Sequence, residues 1–258
     1  MNESGRQPNG NLEASILREF RDAIGEDLEL LAALHDRELD LVAVKQLVDL
    51  EFPTGLGLRL RKDDAVAAQR KMQAAVAGLQ PASDTAFLDE LAVDFADIYL
   101  NHRVRAAPTG SVWLDKDHLV RQQPMFQVRE VYRKRGLKVV DERMRPDDHL
   151  VTELRFLAHL FTHCDDSEAL GEAADFLDRH LFPWVGSFSD TVATRCESEF
   201  YAALALLTAS FLDELRDVLA GWLEEPRPPL EDAETGGDDS GVPETALPVN
   251  NPLSSPSW

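Results

Sequence analysis

Pro146-Asp147-Asp148-His149 opens a segment in which Leu150, Leu154, Leu157 and Phe161 recur at three- and four-residue steps. That spacing puts the apolar side chains on one face of a helix. Proline ahead of acids predicts a helix start, because an aspartate carboxylate can accept hydrogen bonds from the orphan N–H groups of the first turn. It also sets a carboxylate beside an imidazole at a loop-to-helix corner, where binding groups tend to sit. Downstream, Leu170 to Leu181 predicts a second helix, stopped by Pro183 in the run His180-Leu181-Phe182-Pro183-Trp184. From Ser187 to Trp222 the apolar residues again keep helical steps. One rod of that length would span about 54 Å, so a bend or break is expected.

Upstream the same period recurs at Leu12, Ile16, Phe20 and Ile24, and again at Leu39, Val42, Leu47 and Leu50. Ala65 to Leu79 is rich in alanine, a strong helix former. Asp84 is the expected N-cap for a helix carrying Leu88, Leu91, Phe95 and Ile98. A helix is expected from Lys116 to Arg135, kinked or split by Pro124 and closed by Gly136 in a left-handed position. No convincing alternating strand occurs, so the fold class is all-α: a single helical-bundle domain over residues 11–225. Residues 1–10 are expected to be flexible. Residues 226–258 hold seven of fourteen prolines, with six acids and one base. Such a segment cannot bury enough apolar surface to offset its ordering entropy and is expected to be a disordered acidic tail.

The chain has 47 acids against 26 bases over 258 residues, a formal net charge of −21. Nucleic-acid binding needs a positive surface, so this balance argues against it and favours basic partners. Cys164 and Cys196 form no C-x-x-C unit and indicate no disulfide framework. Met1 to Gly5 lacks a basic region followed by an apolar run, and the longest near-apolar stretch, Tyr201 to Leu212, is too short to span a bilayer. A cytoplasmic protein without stable membrane insertion is expected.

Five elements, in order, resemble the TorD/DmsD/NarJ family of chaperones that mature exported molybdenum redox enzymes. These are Phe95-Ala96-Asp97-Ile98-Tyr99, Ser111-Val112-Trp113-Leu114, Tyr132 with Gly136-Leu137, Pro146 to His149 with Glu153-Leu154 and Phe156, and His180-Leu181-x-Pro183-Trp184. The resemblance covers residues 85–212. Gly110 departs from it, standing where the family usually has a glutamate. The resemblance implies a TorD-like helical fold, no enzymatic activity and no cofactor of its own. It also implies two partners, a twin-arginine signal peptide and the catalytic subunit of a molybdoenzyme, with cofactor insertion assisted and premature export held back. Monomer and dimer both remain open.

On that reading Phe95, Ile98, Tyr99, Trp113 and Tyr132 line an apolar groove for the peptide. Pro146, Asp147, Asp148, His149 and Glu153 form the hinge whose acids attract its arginines. Aromatic residues at helical spacing equally suit a packed core, and the hinge acids equally suit a local capping network. Arg129, Arg133, Lys134, Arg135, Lys138, Arg143 and Arg145 concentrate positive charge. They read as partners of local acids, or as a weak contact for a guanine nucleotide or the molybdenum cofactor. Gly55-Leu56-Gly57 lacks the rest of a phosphate loop. A metal at His159, His163 and Cys164 lacks a second motif, and a catalytic Asp148/His149 lacks a nucleophile. A small helical enzyme and a generic acidic adaptor acting through its tail are the alternative readings.

Overall fold

The computed structural model describes residues 7–79, 86–101, 103–140, 145–163 and 168–228. Ten α-helices occur among them: α1 (Gln7–Asp36), α2 (Leu41–Asp49), α3 (Asp63–Gly78), α4 (Ala86–Phe95), α5 (Gly110–Leu114), α6 (Gln123–Lys134), α7 (Leu150–Thr162), α8 (Glu168–Phe176), α9 (Phe182–Arg195) and α10 (Glu199–Leu223). Among the described residues the only extended pairing is a single antiparallel bridge between Thr109 and His149. The all-α expectation holds. Helix α1 begins at Gln7, so residues 7–10 are helical rather than loose, with Pro8 in the first turn, where its missing N–H costs nothing. The expected N-cap at Asp84 and the tail beyond residue 228 lie outside the described residues.

Helix α1 packs along α7, and α10 packs against both α3 and α9. Leu150, Val151, Leu154, Leu157, Leu160 and Phe161 of α7 are all buried, as are Phe200, Leu204, Leu207, Phe211, Leu215 and Leu219 of α10. Arg21 of α1 donates from Nε to the Phe161 carbonyl and from Nη2 to the Leu160 carbonyl, both at 3.1 Å. A cation thus satisfies orphan carbonyls at the C-terminal end of α7 and complements its dipole.

Two further helix boundaries differ from the sequence reading. Lys116 does not begin a helix: α5 ends at Leu114, turns follow, and α6 starts at Gln123 with Pro124 in its first turn. Pro124 therefore neither kinks nor splits a helix. Helix α6 ends as expected at Gly136, φ +70°, where the Leu137 N–H reaches the Tyr132 carbonyl and the Gly136 N–H that of Arg133. Pro183 does not stop its helix either. A π-helical turn, Leu177–Leu181, joins α8 to α9, and the Phe182 N–H bonds back to the Leu177 carbonyl. The wider turn moves aside the carbonyl that the proline ring would otherwise meet. The long C-terminal pattern does break, at Cys196-Glu197-Ser198, where the Asp94 carboxylate holds the Ser198 N–H and Ser198 caps α10.

Candidate functional site

The corner at Pro146–His149 gathers three helix ends. His149 is the N-cap of α7, its Nδ1 accepting from the Val151 N–H at 3.2 Å. Asp148 does not cap this helix, contrary to the sequence reading. Its Oδ2 accepts from the Ser111 N–H at 2.6 Å and the Ser111 hydroxyl at 2.5 Å, so it caps α5 instead. The Ser111 oxygen also accepts the Gln122 N–H at 3.2 Å, which ties in the start of α6. Backbone bonds from Gly110 N–H to the Asp148 carbonyl and from Leu150 N–H to the Pro108 carbonyl, each 2.9 Å, complete the clasp.

Asp147 faces the other way. Arg129 of α6 grips it with a fork, Nη2 to Oδ2 at 2.7 Å and Nε to Oδ1 at 3.2 Å, and the Tyr132 hydroxyl donates to its carbonyl at 3.1 Å. Glu153, one turn into α7, is wholly buried, with Trp184 of α9 near it. Asp147, Asp148 and Glu153 are 2%, 1% and 0% exposed. The expectation that they offer carboxylates to a peptide's arginines therefore gives way to an internal role: they fasten the corner. Burial pushes the Asp148 carboxyl above its ordinary range and the Glu153 carboxyl far above it.

A cavity of about 840 Å³ opens beside this corner. Pro146 and His149 form one wall, and Phe95 and Tyr99 another, with His35 and Asp36 of α1 alongside. Phe95 and Tyr99 pack in a tilted pair with ring centroids 4.7 Å apart. Tyr99 lies on a second π-helical turn, Ala96–Leu100, closed by the Asn101 N–H on the Ala96 carbonyl at 2.7 Å. The apolar side chains of Leu100, Val120 and Val140 lie on this cavity and are 61%, 50% and 102% exposed. Arg145 and Arg155 also line it, and both pair with Asp36, whose carboxyl their charges and hydrogen bonds hold below its usual range against the opposing effect of burial.

Of the other candidates, Ile98 is fully buried in the core, and Trp113 is partly buried with its indole N–H on the Ala107 carbonyl at 2.7 Å. Tyr132 packs against Phe156 in a tilted pair, centroids 4.7 Å apart, and lines a smaller neighbouring cavity of about 200 Å³. Thus the structure brings Phe95, Tyr99, Pro146 and His149 to one cavity, whereas Ile98, Trp113, Tyr132, Asp147, Asp148 and Glu153 do not line it. In the basic segment Arg129 pairs with Asp147, Arg135 with Glu172 and Arg145 with Asp36, while Arg143 lies outside the described residues. His159 and His163 stack at 4.9 Å, and no group of three or more candidate metal ligands occurs among the described residues. No helix among them is long and apolar enough to cross a membrane.

The sequence reading missed His35, Leu100, Val120 and Val140. The last two sit in turns without periodicity, and their one signal is an apolar side chain where a polar one would be expected. Residues 65–190 match the family described as nitrate reductase delta subunit. The chain is similar to the chaperone protein TorD of Vibrio cholerae serotype O1, 33% identical over 144 residues, 53% of this chain and 65% of that protein. It is also similar to the chaperone protein TorD of Shewanella sp. strain ANA-3, 31% identical over 196 residues, 72% of this chain and 88% of that protein. A third relative, the chaperone protein TorD of Vibrio vulnificus strain YJ016, is 31% identical over 140 residues, 51% of this chain and 65% of that protein. The chain thus spans a little under two thirds of the Vibrio relatives.

Proposed function

Because the chain belongs to the TorD/DmsD/NarJ family, we propose that it is a cytoplasmic, non-enzymatic chaperone for the catalytic subunit of a molybdenum-cofactor oxidoreductase. It binds the subunit's twin-arginine signal peptide and its apo form, assists cofactor insertion and holds back premature export. The observation that carries the peptide reading is the 840 Å³ cavity with exposed Leu100, Val120 and Val140 beside it. Large apolar side chains clustered in the open at a concave site favour an apolar ligand. Covering one such side chain is worth roughly 1.5 kcal/mol or more, close to a factor of ten in affinity. The peptide's arginines are drawn by the overall charge of −21 rather than by the hinge acids, which are buried. The basic segment then serves ion pairing within the protein, with a weak contact to the anionic cofactor or a guanine nucleotide as a secondary role.

The test is calorimetric titration of a synthetic twin-arginine signal peptide into the parent protein and into Leu100→Asp and Val120→Asp. Both variants change exposed positions and should fold normally. Each is expected to weaken binding about tenfold or more. Equal affinity in all three would rule the cavity out as the peptide site.

A further inference from the structure

Seven buried side-chain polar atoms lack a hydrogen-bond partner among the described residues; three of them belong to the hinge and a fourth to Trp184 of α9 beside it. These four are Asp148 Oδ1, both carboxyl oxygens of Glu153, and Trp184 Nε1. Trp184 is 1% exposed, and its indole faces Glu153 closely enough to influence that carboxyl without closing a well-formed hydrogen bond. A Cβ at Gly110 would lie 3.1 Å from the same indole nitrogen, so α5 backs directly onto it.

The charged and titratable groups around Glu153 are few. The loop before α7 supplies Asp148 and Asp147, and α6 supplies Tyr132. Asp147 is held by Arg129, and the second oxygen of Asp148 is held by Ser111 of α5. His149, the N-cap of α7, has its Nδ1 occupied by the Val151 N–H. With both carboxyls ionised, the cluster would hold two adjacent negative charges. One indole N–H would face three acceptor oxygens. A single proton on Glu153 closes the count: the indole N–H donates to one Glu153 oxygen, and the Glu153 O–H donates to Asp148 Oδ1.

We propose that Glu153 is a neutral carboxylic acid sharing its proton with Asp148, and that this proton holds the Pro146–His149 corner against α5 and α9. Glu153 is then a positioning residue for the cavity wall made by Pro146 and His149. Ionising it would set two buried carboxylates against each other where the corner joins α7. Burial favours the protonated form, and the neighbouring Asp148 charge adds to that preference. The proton does not depend on the proposed peptide ligand; only its effect on binding rests on that reading.

Infrared spectroscopy of the full chain, with the parent compared with E153Q and E153A, tests this. The parent should show a protonated-carboxyl carbonyl band at neutral pH, absent from E153Q. The Gln amide offers the same acceptor to Trp184 and the same donor to Asp148. E153Q should therefore melt with the parent near pH 4.5, keep peptide affinity, and become more stable than the parent as pH rises towards neutral, because only the parent's unfolded chain gives up a proton that the folded chain keeps. E153A should lose both stability and affinity. Absence of the band, or E153Q as damaged as E153A, overturns the proposal. If the band and the melting results hold but the peptide binds none of the three, the proton stands and the peptide reading falls.

Discussion

Thr208→Val should destabilise the protein through a residue it leaves untouched, His35. His35 is 1% exposed, with Nδ1 2.5 Å from the Tyr99 hydroxyl and Nε2 2.9 Å from Thr208 Oγ1. Thr208 spends its only hydrogen on the Leu204 carbonyl at 2.9 Å, so its oxygen can only accept from His35. His35 therefore carries its proton on Nε2, and Tyr99 donates to Nδ1. Valine keeps the shape of threonine but removes that acceptor. Moving the proton to Nδ1 would rescue Nε2 only by leaving the Tyr99 hydroxyl without an acceptor, so either tautomer leaves one buried donor unpaired. Such an orphan costs about 1–3 kcal/mol. At about 2–4 °C per kcal/mol for chains of this size, the melting temperature should fall by about 2–12 °C in calorimetry or circular dichroism. His35 also gives a pH signature. Burial lowers its pKa to about 3, so as pH falls below 6.5 the unfolded chain takes up a proton that the folded chain refuses. The stability contributed by neutral His35 is present above pH 6.5 and is lost on acidification. Relative to His35→Gln, the parent should lose about 2 kcal/mol between pH 6.5 and pH 5. An unchanged melting temperature in Thr208→Val, or parallel acid limbs for the parent and His35→Gln, would refute the assigned tautomer and its burial.

Arg129→Met should cost about 3 kcal/mol in urea denaturation, because it strands the buried Asp147 carboxylate, and pairing it with Asp147→Asn should recover part of the loss. Deleting residues 229–258 should leave peptide affinity unchanged, whereas an adaptor acting through its acidic tail would lose it. Raising ionic strength from about 0.1 to 1 M shortens the Debye length from about 10 to 3 Å. In stopped-flow measurements this should slow peptide association while leaving the affinity owed to the peptide's leucines; binding indifferent to salt would confine the role of the acidic surface to solubility.

The helices were legible because apolar period and alanine content are local properties. The family elements were legible as words, but the sentence they form was not. Asp148 reads locally as a helix-start acid, yet its carboxylate crosses 37 positions to Ser111. Nothing in the spacing of either element announces that partner. Pro183 reads as a stop because the rule concerns regular α-helix. The π-helical turn ahead of it evades the rule by widening the helix, and that turn depends on packing of Phe176, Leu177 and Leu181, all buried. The cavity was half legible: Phe95, Tyr99, Pro146 and His149 sit in the family elements, while Val120 and Val140 belong to turns that carry no pattern.

The acids of this chain do two different jobs, and sequence charge counts cannot separate them. Asp27, Asp94, Asp148 and Glu214 are each 6% exposed or less. Every one accepts backbone N–H bonds from a distant segment: Gly57 and Leu58 for Asp27, Ser198 for Asp94, Ser111 for Asp148, and Arg61 with Lys62 for Glu214. Each segment held this way is a loop or a helix start, where N–H groups have no helical partner. A carboxylate is suited to this because it has two oxygens, accepts more than one N–H, and makes charge-assisted bonds stronger than neutral ones. These acids fix the connections between helices and contribute little to the field outside the protein, where the exposed acids act. The corner at Pro146–His149 belongs to the first group although its composition suggests the second. Its conspicuous carboxylates therefore fasten the corner from inside, and the recognition proposed above rests on the apolar side chains of Leu100, Val120 and Val140.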